Sequence, residues 1–345
     1  MSIFDVITST EIVAYWELNT QDRDPYMGEE LWPDAKSMSL DIQWLKGASG
    51  LPVVLKPSAL DVVAIPRPRI GFDKLKAQLP FFKESTYIDE ELRQELNKVL
   101  ATGNQAYIDA VTNRIFDDET RLLEGASAQR ERMRMMMLTT GEITVEGNGQ
   151  IYDYDYHMPV SHKVTTSKSW SDPTATILDD IRKGMELIEQ ETGVTIERAV
   201  TSGKVMGYFR ANNEIKMSIA PLTDGEGFIS DAKILTFLSD ELGIAVAKND
   251  KRYVDENGDT QRYVPDDVFV MFPAGNLGNT WFGVTPEESD LLNSSAANVF
   301  ITDTGVAVTT ITHADPVQVE TKVTMFCLPD FPTADQIYII DVLTA

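Results

Sequence analysis

Three places in the sequence bring together side chains that can do chemistry. The first is "YDYDYH", Tyr152 to His157, where Asp153, Asp155 and His157 alternate with three tyrosines. Alternate residues of a strand share a face, so two carboxylates and an imidazole would stand together, a donor set suited to a metal ion or to acid–base work. The plainer reading sends the tyrosines into a core and leaves the charged face in solvent. Nothing else marks the cluster as a site, and the solvated face is expected. The second place is "YVDENGDTQRYVPDD", Tyr253 to Asp267, where Asp255, Asn257 and Asp259 fall at every second position, as at the start of a calcium-binding loop. Such a loop needs Gly at its sixth place and Glu at its twelfth. Here those places hold Thr260 and Asp266. Asn257 and Gly258 instead meet the demand of a type I′ turn, positive φ at both central residues, so a hairpin turn is predicted there. The third place is "TSGKV", Thr201 to Val205. A phosphate loop would need Gly where Arg198 stands and Ser or Thr where Val205 stands, and the match fails.

The other reactive residues are scattered. His157, His162 and His313 show no HExxH spacing, and no G-x-S-x-G elbow occurs. Cys327 is the one cysteine and lies in a long apolar run, which excludes an intrachain disulfide and a cysteine zinc cage and points to an inert thiol. "MRMMML", Met133 to Leu138, suits either an adaptable binding surface or a buried helix end, and the buried end is expected. No catalytic residue, metal site or cofactor is expected.

The elements that would position these residues come in blocks, which predicts an α+β fold rather than a doubly wound sheet. A short helix and a polar arm, "NTQDRDPYMGEE", open the chain. From Ser37 to Ile65, "SMSLDIQWL" and "LPVVLKPSALDVVAI" read as two strands around "KGASG", with Pro52 and Pro57 confining them to edges. "RPRIGFDKLKAQLPFFKES" reads as irregular. Asp89 is a candidate N-cap for a long helix whose stripe runs through Leu92, Leu96 and Val99, then Tyr107, Val111 and Ile115, with "ATGNQ" as an interruption or kink. A hairpin around Gly147-Asn148-Gly149 follows. Beyond Pro173 come a helix closed by Gly193, the strand "ERAV", helices over "KVMGYFRAN" and "ISDAKILTFLSDELG", and the strands "IAVA" and "VFVMFPAG". The end is strand-rich. There Val317, Val319, Val323 and Met325 alternate with Gln318, Glu320, Lys322 and Thr324, as in a strand with one buried face.

A net charge of -24 repels phosphates and anionic lipid, which argues against a sequence-specific DNA binder. The N-terminus lacks the basic and apolar regions of a signal peptide, and no apolar run is long enough to span a bilayer. A soluble protein made in the cytoplasm is expected.

Two segments go further. "KRYVDENGDTQRYVPDDVFVMFPAGNLGNTWFG" and "ADPVQVETKVTMFCLPDFPTADQIYIIDVL" resemble segments of the lambda-like major capsid protein E family of tailed bacteriophages. The order of elements resembles the HK97 fold of such proteins. The resemblance implies an N-terminal arm over residues 1–35, an extended loop over 36–86 and a peripheral domain over 87–173 that contains the long spine helix. It also implies an axial domain over 174–315 and C-terminal strands over 316–345 that return to those domains. It implies a late, structural virion protein assembling into hexamers and pentamers of an icosahedral head, commonly T=7, around double-stranded DNA. Scaffolding, portal and decoration proteins are the implied partners. An apolar extended loop would find its home on a sibling subunit, making Trp44, Leu45, Val53, Val54 and Leu55 candidates for intersubunit contact. Some relatives crosslink Lys to Asn; Lys46 and Lys56 lie in this loop without an identifiable partner, and no crosslink is expected. Two other readings stay open: an encapsulin-like cellular compartment shell, and a metal-dependent enzyme using Asp153, Asp155 and His157.

Overall fold

The computed structural model describes residues 7–21, 23–46, 73–88, 90–219, 229–292, 294, 297–315 and 317–343. The chain divides into two units that are not contiguous in sequence. The first comprises Met1–Ile42, Lys76–Met133 and Asn279–Asp330; the second comprises Gln43–Leu75, Arg134–Gly278 and Phe331–Ala345.

Helix α1 (Ser9–Thr20) starts where the Thr8 hydroxyl accepts the Glu11 N–H at 3.3 Å. The polar arm that follows contains a short helix, α2 (Met27–Leu31), which its charges and turn formers did not announce. Strands β1 (Asp34–Lys36) and β2 (Asp41–Lys46) come next. The stretch expected to be irregular holds two strands, β3 (Asp73–Gln78) and β4 (Phe81–Tyr87). Strand β2 pairs with β3 in a sheet of their own, while β4 runs antiparallel to a strand more than 200 residues later, and such distant pairing leaves no local sequence signature. The candidate cap Asp89 and the ribbon residues Val53, Val54 and Leu55 lie outside the described residues.

The long helical run is two helices, α3 (Glu90–Thr102) and α4 (Gln105–Thr140). Between them Gly103 takes φ +65°, a left-handed conformation that ends a helix, so the anticipated kink is a break. The 36 residues of α4 form the expected spine. Val111 and Ile115 are buried as predicted, but Tyr107, in the first turn, is 65% exposed. At the other end Met133, Met135, Met137 and Leu138 are all fully buried, so the methionines serve as core.

Beyond α4 the chain forms β5 (Glu142–Gly147), β6 (Gln150–Asp155), β7 (Lys163–Thr165), α5 (Ile177–Thr192), β8 (Arg198–Thr201), α6 (Gly203–Ala211) and α7 (Asn213–Ile219). Then come α8 (Asp231–Leu242), β9 (Ala245–Lys248), β10 (Arg252–Val254), β11 (Thr260–Arg262), β12 (Val268–Phe272) and β13 (Thr280–Phe282). The last strands are β14 (Asn298–Thr302), β15 (Val306–Ala314), β16 (Val317–Pro329) and β17 (Tyr338–Asp341).

In the first unit the sheet order is β1-β13-β16-β15-β14, with β4 pairing β16 beside β13. Strand β16 is thus the central member, and its environment differs from the expected one. Val317 at its start is 46% exposed, but from Thr321 onward both faces are covered, with Lys322 only 7% and Thr324 0% exposed. In the second unit a mixed sheet runs β7-β17-β12-β8-β9. Its core joins Ile177, Ile181 and Ile188 of α5, Val205 and Phe209 of α6, and Ile234 and Leu238 of α8 to Phe269 and Met271 of β12. Trp170 stacks on both Phe209 and Phe269 at 5.6 Å. Gly184 allows the contact of α5 with this sheet, because a Cβ there would lie 2.5 Å from Met271 Cε and 2.6 Å from the Tyr338 ring.

Candidate functional site

Strand β6 displays its alternation as the plainer reading predicts. Tyr156 is buried and Tyr152 and Tyr154 are half-buried, while Asp153, Asp155 and His157 face solvent. The Thr144 hydroxyl donates to Asp153 at 3.1 Å, and Asp155 accepts the His157 backbone N–H at 2.6 Å and lies 3.1 Å from its Nδ1. Among the described residues no group of three or more His, Cys, Asp or Glu side chains is arranged to hold a metal ion.

The two Asn-Gly hairpins differ in a way that corrects one expectation. Asn148 and Gly149 have φ +50° and +73°, and Gly147 pairs with Gln150, which is the two-residue type I′ turn. At 255–259 only Gly258 has positive φ, +88°. The Gly258 N–H donates to Asp255 O at 3.0 Å and the Asp255 N–H to Asp259 O at 2.9 Å, closing a longer loop. This is a tight turn followed by a left-handed glycine. The cause is Asp255. Its Oδ1 accepts the N–H groups of Asn257 and Asp259 at 3.0 and 2.9 Å, which holds the chain in the wider turn. The stretch is a hairpin corner, as predicted, with a different turn.

The failed phosphate loop begins α6. Ser202 caps the helix by accepting the Val205 N–H at 3.2 Å. The Gly203 N–H is taken by the chain's own Asp250 at 2.8 Å, and Arg262 pairs with that carboxylate at 2.6 Å. The anion position at this helix end is filled from within.

Of the contact candidates, Trp44 is 8% exposed, with its ring 5.5 Å from that of Tyr156. Its side chain is therefore seated on its own chain. Leu45 lies in β2.

The residues that sequence reasoning missed are buried charges. Lys322 Nζ lies 2.6 Å from Glu287 Oε1, and the Thr324 hydroxyl donates to Glu287 Oε2 at 2.9 Å. Burial by itself would raise the Glu287 pKa, but the hydrogen bonds from Lys322, from backbone and from Thr324 hold it below the ordinary value. Arg130 of α4 donates to Asp303 at 2.8 Å and lies 3.5 Å from Asp34. Asp330, in the "LPDFP" segment, accepts the Asn279 N–H at 2.6 Å and the Trp281 Nε1–H at 2.7 Å, while its carbonyl accepts Trp32 Nε1–H at 2.9 Å. Glu119, Arg130, Glu131 and Arg134 are all buried on α4. The available signal was a set of charges inside a stripe that otherwise reads as apolar. The Lys322–Glu287, Arg130–Asp303 and Asp330 contacts tie strands and helices together within the first unit.

A family profile described as phage major capsid protein E matches residues 8–342. The chain belongs to that family. Its members are structural proteins of the capsid shell, and so is this chain; it is not an enzyme. No curated protein is similar to it in sequence. Three solved structures share the fold. One is described as a capsid protein of a prophage of E. coli CFT073, with 14% identity over 98% of this chain and 99% of that one and a TM-score of 0.61. The second is a phage-related protein of Bordetella bronchiseptica RB50, with 12% identity, the same coverage and a TM-score of 0.56. The third is from the capsid of cyanophage A-1(L), with 12% identity over 93% of both chains and a TM-score of 0.54. The fold is the α+β, HK97-like one anticipated from the order of elements.

Proposed function

We propose that this capsid protein builds hexamers and pentamers of an icosahedral phage head, of T=7 type, that encloses double-stranded DNA. The observation that carries the reading is the family match over residues 8–342. Residues 36–86 act as the extended loop that reaches a neighbouring subunit, 87–173 as the peripheral domain, 174–315 as the axial domain and 316–345 as the returning strands. The pairing of β2 with β3 alone supports this role, because an isolated two-stranded ribbon is marginal in water and gains from a second surface. Trp44, buried beside Tyr156, roots the ribbon on its own subunit, and Leu45, Val53, Val54 and Leu55 are the candidates for contact with the next one. Scaffolding, portal and decoration proteins are the other partners, and assembly takes place in the host cytoplasm. The net charge of -24 suits a container that holds DNA without gripping it.

Electron microscopy of the expressed protein tests this, with closed shells expected. Deletion of residues 47–72 should abolish shells while leaving a folded subunit. A full-length chain that stays monomeric at high concentration, alone and with its scaffold, would refute the reading.

A further inference from the structure

The longest helix carries one buried carboxyl that no cation reaches. Glu119 is 2% exposed, and no ion pair to it exists among the described residues. Neither its Oε2 nor the fully buried hydroxyl of Thr321 on β16 makes a hydrogen bond of full geometry, and the two lie close enough for the hydroxyl to favour the charged carboxylate. Cross-strand partners share a face, so Thr310 of β15 and Thr86 of β4, both paired with Thr321, place a row of threonines on the sheet face that Thr321 presents.

The surroundings offer no compensating charge. On α4 itself Asp118 is the adjacent anion, paired with Arg121 at 3.3 Å near the surface. From α1, Tyr15 donates to Asp117 at 2.6 Å. From α3, Glu95 lies 3.9 Å from Arg114. On β4, Glu84 shares the face of Thr86, whereas Lys83 of β4 and Lys322 of β16 alternate onto the opposite face, where Lys322 is paired with Glu287. Among the described residues, the titratable groups named on the Glu119 side are acids, a neutral phenol and bases already engaged.

We propose that Glu119 holds a proton in the native protein and couples the stability of the first unit to pH, its ionisation loosening the contact of α4 with Thr321 of β16. Burial pushes its carboxyl up to about 7, with the Thr321 hydroxyl opposing and Asp118 adding to the push. The sign follows from linkage. Between the ordinary glutamate value and the raised one the folded state keeps a proton that the unfolded chain releases, so stability falls as pH rises through that window and is flat above it. Ionisation leaves a buried carboxylate without a counter-charge, a cost that loosening of the contact would relieve.

The test compares unfolding constants of the wild type and Glu119→Gln across the window from 4.5 to about 7. Glutamine keeps the shape and cannot ionise. The wild type should lose stability relative to the variant by up to about 300-fold in the unfolding constant, the antilogarithm of the displacement. Parallel profiles would overturn the proposal. Should the variant fail to fold, infrared difference spectra of the wild type with isotopically labelled glutamate decide the matter. A protonated carboxyl band that titrates near neutrality supports the assignment, and loss of all such bands below about pH 5 overturns it.

Discussion

Replacing Lys322 by methionine puts the buried frame of the first unit under direct test. Lys322 and Glu287 have side chains only 9% and 6% exposed and meet at 2.6 Å. Removing the ammonium leaves a carboxylate that retains the Thr324 hydroxyl at 2.9 Å but no counter-charge. Breaking a buried pair from one side costs about 3–5 kcal/mol, because the surviving charge stays desolvated. The double variant Lys322→Met/Glu287→Leu removes both charges and fills their volume. Its remaining penalty is the Thr324 hydroxyl without its acceptor, about 1–3 kcal/mol. The double variant should therefore be more stable than Lys322→Met alone, with a coupling energy of about 2 kcal/mol or more. The pH dependence carries the same signature. Glu287 is held below its ordinary value, so the stability it contributes is present above the unfolded-state pKa of about 4.5 and is lost as pH falls through the lower folded value. Denaturant unfolding followed by tryptophan fluorescence, on samples matched for assembly state by sedimentation, measures each term. A cost below about 1 kcal/mol for Lys322→Met, or simple additivity of the two single variants, would show that the pair is solvated and the reasoning wrong.

Two further substitutions probe the frame elsewhere. Gly184→Ala should destabilise by about 1–3 kcal/mol in the same assay, although glycine to alanine in a helix ordinarily stabilises, because the new Cβ meets Met271 and Tyr338 at 2.5 and 2.6 Å. Asp330→Asn should cost about 1–3 kcal/mol, since the amide keeps one acceptor oxygen where the carboxylate has two, leaving the N–H of either Asn279 or Trp281 facing an NH2 group. An unchanged midpoint in either case would refute the contact concerned.

Local signals were legible where the sequence neighbours decide the structure. The spine helix, its methionine end, the Gly193 and Gly243 helix ends and the hairpin at Asn148-Gly149 all follow from spacing and turn chemistry. What stayed hidden depends on distant partners. β4 is half-exposed, without a clean apolar alternation, and becomes a strand because β16 lies against it. The polar alternation of β16 suggested solvent, but the face that carries Lys322 is buried because Glu287 comes from another part of the chain to meet it. The Asp255 side chain overrode the backbone preference of Asn257-Gly258 by supplying a stronger local acceptor. For the candidate site, the solvated face of Asp153, Asp155 and His157 was readable from the alternation of β6, whereas the internal ion pairs were not.

The position of β16 in the chain bears on how the protein is made. It lies between β15 and the pair β4 and β13, and β1 in turn rests on β13. A nascent chain therefore presents β1 and β4 long before β13 and β16, the strands they pair with, have been translated. Those N-terminal edges stay unsatisfied until residues 280–329 have been made, and only then can the first sheet close. Such long-range closure is slow and exposes sticky intermediates, a hazard that mutual repulsion among chains of net charge -24 would reduce.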